Sequence, residues 1–265
     1  MALYLLIFSA IVVTCIFFNK FSGKIGIPVL LFFLMLGLLC GSQNDGFASQ
    51  WAWIVGKIST IALIFIMFYG GFGTRWKSAR PVAVEAGLLA TVGVALTAVL
   101  VGLFCHFALG CAWLESFLMG AVISSTDAAT VFSILRSRKL GLKNNSAPLL
   151  EVESGSNDPM SYMLTAVMLS LFDGGITAGG IVWQIFSQIA FGVAGGLAIS
   201  GIAVFILKKI NFQSNGFDML LFIAIALVSY ALPDLLGGNG YLSAYIVGIV
   251  LGNSEFPGRK PLVSL

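Results

Sequence analysis

Along this 265-residue chain, long apolar runs alternate with short polar breaks. Windows of roughly 20 apolar residues match a hydrocarbon core roughly 30 Å thick. The pattern predicts nine spans, near residues 2–18, 26–41, 54–72, 82–109, 116–135, 148–172, 181–207, 217–236 and 241–252. The runs are too long and too uniformly apolar for the alternating strands of a barrel, and a chain in lipid must satisfy its own backbone, so each span is expected to be a helix. The expected class is an all-α polytopic membrane protein. Residues 1–18 are apolar from the start, with no basic leader and no small-residue cleavage site, which reads as a retained first span and not a signal peptide.

Composition supports this picture and removes its rivals. Hydrophobic residues make up 58% of the chain, charged residues only 9%, and the mean hydropathy is +1.01. A soluble domain carries about 25% charged residues, so a cytosolic enzyme is excluded. Disorder is excluded by the 22 Phe and the long aliphatic runs. Cys15, Cys40, Cys105 and Cys111 are isolated and His106 is the only histidine, so no zinc or iron–sulfur pattern is legible, and no cofactor is implied.

The net charge of +3 does not indicate a nucleic-acid partner, because the basic residues sit in short clusters between spans. Those clusters follow the odd-numbered spans: Lys20 and Lys24; Arg75, Lys77 and Arg80; Arg136, Arg138, Lys139 and Lys143; Lys208 and Lys209; Arg259 and Lys260. The loops after even-numbered spans, around Asp45, Glu115, Asp173 and Asp234, carry no Lys or Arg, which leaves Lys57 as the exception. Lys and Arg collect in short cytoplasmic loops, so the N-terminus is expected outside. One missed or invented span would scramble the alternation, which therefore supports the count of nine.

Inside the spans, ionisable residues are costly, at roughly 2.5–3.5 kcal/mol for an Asp at a helix centre, and are functional candidates by default. Asp127 and Asp158 lie in antiparallel spans, each roughly 15 Å deep at 1.5 Å per residue, so both carboxylates are expected near the midplane. Each sits in a stretch poorly suited to an unbroken helix: Ser124-Ser125-Thr126-Asp127 and Glu153-Ser154-Gly155-Ser156-Asn157-Asp158-Pro159. Pro159 removes a helical donor and frees the carbonyl of Gly155. Carboxylates, hydroxyls and freed carbonyls are hard oxygen ligands suited to alkali or alkaline-earth cations. Glu85 and Glu151 read as interfacial acids, Glu151 beside the Arg136–Lys143 cluster. Glu153 lies deeper and is expected to need a buried cationic partner.

Ser125-Thr126-Asp127 and the Glu153–Pro159 run resemble the NhaP-type monovalent cation/proton antiporters, and the Glu-Ser-Gly-Ser-Asn-Asp-Pro wording resembles the bacterial potassium/proton members. Gly26-Ile27-Pro28, Gly70-Gly71 and Gly252-Asn253 extend the resemblance along the chain. It implies K+ or Na+ exchanged for H+, with Asp158 binding cation and proton in turn, Asn157 as its uncharged neighbour, and Thr126 and Ser154 as further oxygen ligands of the monovalent cation. It also implies that Asp127 balances half-helix dipoles in an unwound crossing helix, and that Glu153 is a structural ion-pair acid whose Arg lies in a later helix. Where relatives carry an acid this chain has Tyr69.

The implied organisation is dimerisation-side helices over 1–81, ion-site helices over 82–172 and interface-side helices over 173–265, in an inverted-repeat fold whose second half would follow. The implied setting is a homodimer, surrounded by lipid in a bacterial plasma membrane. The chain is expected to be a truncated antiporter. The alternative expectation is a non-transporting membrane scaffold or assembly partner. A channel would want a filter-like loop or an acidic ring, and neither is legible.

Overall fold

The computed structural model describes residues 45–128, 140–209 and 215–255, with scattered positions between 6 and 38 and at 131, 132 and 135. Much of the spans predicted at 2–18 and 26–41, the Gly26-Ile27-Pro28 entry and the basic residues Lys20, Lys24, Arg136, Arg138, Lys139, Arg259 and Lys260 fall outside the described residues. Every regular element among the described residues is helical: α1 (Asp45–Gly73), α2 (Trp76–Leu109), α3 (Trp113–Ile123), α4 (Ser146–Phe172), α5 (Ala178–Lys209), α6 (Asn215–Leu235) and α7 (Gly240–Gly252). Three stretches are long and apolar enough to cross a membrane, Ala52–Gly73, Trp76–Leu109 and Ala178–Lys209. Helix α4 is long enough at 27 residues, and Glu151, Glu153 and Asp158 make it the polar member of the set.

The chain divides into two compact units, Met1–Ser59 with Asp127–Lys143, and Thr60–Thr126 with Asn144–Leu265. The first contains the opening of α1 and a helical stretch at 13–18. The second is built around α7, whose Tyr241, Ala244, Tyr245, Val247 and Leu251 are buried against Ile64, Met67 and Phe68 of α1, Ala203 and Leu207 of α5, and Phe222, Ile225 and Ala226 of α6. At 13 residues α7 is about 20 Å long, less than a bilayer core. It can be short because other helices, not lipid, surround it.

Small residues allow that approach. A Cβ at Gly248 or Gly252 would collide with the backbone carbonyl of Phe68 or Phe72, and one at Gly71 with that of Tyr245. Backbones meeting through glycine is the usual means of helix packing where lipid supplies no hydrophobic drive between helices. Asn253 then locks the end of the pair, donating to the Thr74 carbonyl at 2.8 Å and accepting from the Trp76 amide at 2.8 Å. Large apolar side chains line the outside instead, such as Phe104, Phe107, Val182 and Phe205, each more than half exposed. An outer surface of that kind suits hydrocarbon and not water.

Two expectations need correction. The span predicted from residue 82 begins at Trp76 and carries a 3-10 turn at Arg80–Val82 and a π segment at Leu89–Gly93, irregularities that apolar content does not encode. The stretch around Pro159, expected to interrupt its helix, does not: α4 runs unbroken from Ser146 to Phe172. Lone prolines are tolerated in spanning helices packed against neighbours, and here α4 is held next to Pro159 by Asn239, which donates to the Pro159 carbonyl at 2.8 Å, and by Ser161, which donates to the Ala121 carbonyl at 2.7 Å. Glu151 shares a pocket with Arg75, while Arg136, Arg138 and Lys139, beside which it is expected, lie outside the described residues.

Candidate functional site

The interruption that does occur is at the end of α3. Ser124 closes the helix, its hydroxyl donating back to the Ala121 carbonyl at 2.7 Å, and residues 125–127 are non-helical before a helical position resumes at 128. Three consecutive hydroxyl residues favour this, since Ser and Thr compete with the helical ladder for backbone groups. The freed polar groups of 125–126 must find partners, and α4 supplies them.

Four side chains of α4 meet the break. Ser125 donates to Asp158 Oδ1 and also to Asn157 Oδ1 at 3.2 Å. Ser154 donates to the Thr126 carbonyl at 3.0 Å. Asn157, wholly buried, donates from Nδ2 to Thr126 Oγ1 at 2.6 Å, to Glu153 Oε1 at 2.9 Å and to the Thr126 carbonyl at 3.3 Å. Thr126 in turn donates to Glu153, 3.2 Å from each carboxylate oxygen. The spacing explains the convergence: Ser154, Asn157 and Ser161 stand at i, i+3 and i+7, one stripe of α4, and Asp158 borders it.

Of the residues singled out in the sequence, Thr126, Glu153, Ser154, Asn157 and Asp158 are thus brought together. Asp158 is half-buried, close to the middle of α4. Asp127 follows Thr126 directly in the non-helical stretch, is exposed, and belongs to the other compact unit. Among the described residues Glu153 accepts from the neutral donors Thr126 and Asn157, and the Arg that the resemblance implies for it belongs to a later helix. Tyr69 is 64% exposed on an apolar groove with Phe65, Phe72 and Phe222. In the antiporter that the resemblance implies, Tyr69→Phe in the full-length protein should therefore leave exchange within about twofold of the unsubstituted protein, as surface changes generally do. A loss as deep as that of Asp158→Asn in the same flux assay would contradict this.

Two site residues were not singled out from the sequence. Ser125 is the direct partner of Asp158, and the hydroxyl triplet was its only signal. Asn239 had none, because Gly237-Gly238-Asn239-Gly240 reads as a turn. Folded, Asn239 is 2% exposed, caps α7 by accepting from the Leu242 amide at 3.0 Å, holds the Pro159 carbonyl, and donates its own amide to the Gln188 carbonyl at 2.9 Å. It ties α4, α5 and α7 at the level just beyond Asp158.

A helical membrane protein in which a helix break is pinned to a mid-helix carboxylate has the makings of an ion transporter. Comparison with known proteins gives the family: residues 7–262 match the model of the transmembrane sodium/hydrogen exchanger family, and the chain belongs to it. It is 36% identical over 260 residues to the K(+)/H(+) antiporter NhaP of Alkalimonas amylolytica, covering 96% of this chain and 45% of that protein. It is 34% identical over 271 residues to the K(+)/H(+) antiporter NhaP2 of Shewanella sp. strain MR-4, covering 99% and 46%. A probable Na(+)/H(+) antiporter 2 of Methanocaldococcus jannaschii is 29% identical over 242 residues, covering 88% and 56%. The chain thus spans about half the length of the curated relatives it matches. It is an integral membrane protein.

Proposed function

We propose that the full-length protein is a secondary antiporter that exchanges K+ or Na+ for H+ by alternating access at Asp158. The observation that carries this reading is the junction of Ser125 and Thr126 with Asp158, Asn157 and Ser154, where a carboxylate and several hydroxyls gather at a helix break. Deprotonated, Asp158 attracts a cation; protonated, it does not, so one group carries either cargo. Thr126 and Ser154 offer further oxygen ligands. The amide hydrogens of Asn157 are engaged with Thr126 and Glu153, so it serves chiefly to position the break. With an amide beside Asp158 in place of a second acid, one charge exchanges for one and transport is electroneutral. The relatives named above as K(+)/H(+) antiporters favour potassium. Cation-dependent proton flux in proteoliposomes, potassium against sodium, tests the reading; flux with neither ion would end it.

In the same reading, the nine spans belong to an inverted-repeat fold in a bacterial plasma membrane. Residues 1–81 lie on the side of a homodimer contact, 82–172 carry the ion site, 173–265 form the interface side, and Asp127 balances dipoles at the crossing. The N-terminus faces outward, because the basic loops alternate. Cysteine at position 173, in the turn after α4, is then labelled by impermeant reagents from outside, whereas cysteine at 143 is labelled from the cytoplasm. Labelling of Asp173→Cys only from the cytoplasm would invert the topology throughout.

A further inference from the structure

Glu151, Gly155, Asp158 and Tyr162 stand at i, i+4, i+7 and i+11 and form a second stripe of α4, beside the stripe that grips the helix break. At its lower end is a pocket of about 260 Å³, lined by Gly73, Thr74, Arg75 and Ser78 from the α1–α2 turn and by Pro148 and Glu151 of α4. It has room for several waters. Glu151 is exposed to it, and Arg75 acts electrostatically on Glu151. Between Glu151 and Asp158 the stripe has no side chain, because position 155 is glycine, and Tyr245 of α7 fills the gap. A Cβ on Gly155 would lie 2.6 Å from the Tyr245 ring and 2.7 Å from its hydroxyl oxygen. That hydroxyl is buried, on a residue 3% exposed, beside the hydroxyls of Thr74 and Ser156 and within electrostatic reach of both Glu151 and Asp158.

We infer that the Arg75–Glu151 pocket is an entry subsite for a hydrated monovalent cation, and that the Tyr245 hydroxyl is the next oxygen on its way to Asp158. This rests on the antiporter reading given above. Carboxylate, hydroxyl and water oxygens are the ligands such a cation takes, and the rise from Glu151 to Asp158 is about 10 Å, a distance that one intermediate oxygen divides into two short steps. Arg75 is the competitor: its guanidinium balances Glu151 while the subsite is empty, and an arriving cation must take its place.

The test is cation-dependent proton flux in proteoliposomes of the protein at its full natural length, with KM and maximal rate measured separately. Glu151→Gln should raise the cation KM about fivefold with little change in maximal rate, the weight of one charge at a partly hydrated site. Glu151→Asp should restore most of the affinity. Arg75→Gln should lower the KM about twofold or more, for the competitor is gone. A merely structural ion pair predicts damage in the same direction from both neutralisations, so opposite shifts are the signature. Shifts of the same sign, or no shift in KM, overturn the subsite. If Glu151→Gln does not fold, Arg75→Gln decides alone: an unchanged or raised KM overturns it. Asp158→Asn is measured alongside. Its inactivity beside an unmoved KM in the other variants removes only the subsite, whereas its normal activity removes the antiporter reading and the subsite with it.

Discussion

Asp158→Asn should reduce potassium/proton and sodium/proton exchange by the full-length protein to about 1% or less, the loss expected when a positioned proton-carrying group is removed. Asparagine is nearly isosteric and can still accept from Ser125, so the junction between α4 and the break of α3 should persist and the variant should fold. What disappears is the capacity to alternate between a charged form that holds a cation and a neutral form that holds a proton. In the unsubstituted protein the two cargoes compete for one carboxyl group, so below its pKa each unit of pH should weaken apparent cation affinity about tenfold. Normal exchange by Asp158→Asn, measured in proteoliposomes with either ion, would remove Asp158 from the mechanism.

The second large effect is on stability and belongs to Asn157. Its side chain is fully buried and binds Thr126 twice, Glu153 once and Ser125 once. Asn157→Ala deletes all of these and leaves the Glu153 carboxylate without one of its donors in a low-dielectric site. The cost should be about 2–4 kcal/mol, the sum of lost hydrogen bonds and a half-buried acid left short of a donor. Unfolding of the detergent-solubilised protein on heating should shift down by several degrees; an unshifted transition would show that the break does not depend on this residue. Asn157→Asp probes the same contact differently. It replaces a donor 2.9 Å from Glu153 by a second carboxylate, and two acids so close cannot both ionise, so the pair should hold a shared proton.

The positions of helices were legible because the bilayer imposes a length and a polarity that periodicity and composition carry directly. Spans predicted at 148–172 and 241–252 differ from α4 and α7 by at most a few residues at their ends. The candidate site was legible for a related reason: Asp158, Glu153 and Asn157 are expensive in lipid, and a chain retains such residues only where something pairs with them. The location of the broken helix was only half legible. Ser124-Ser125-Thr126 and Gly155–Pro159 both read as weak helix formers, yet the first unwinds and the second does not; next to Pro159, α4 is held by Asn239 and by the bond from its own Ser161 to Ala121, partners distant in the sequence.

By itself, then, the sequence determined the solvent, the helical class, the alternation of charged loops and the acids that lipid would not tolerate unpaired, since each depends on local composition. Only the tertiary structure decided that Ser125 meets Asp158, that Asn157 stitches the break to Glu153, that Arg75 shares a pocket with Glu151, and that Tyr245 covers Gly155. These contacts depend on where a glycine lets two backbones approach and where a hydroxyl reaches across to another helix. Such distances are set by packing between segments up to 179 residues apart, as when Asn253 closes on Thr74, and no local window of sequence contains them.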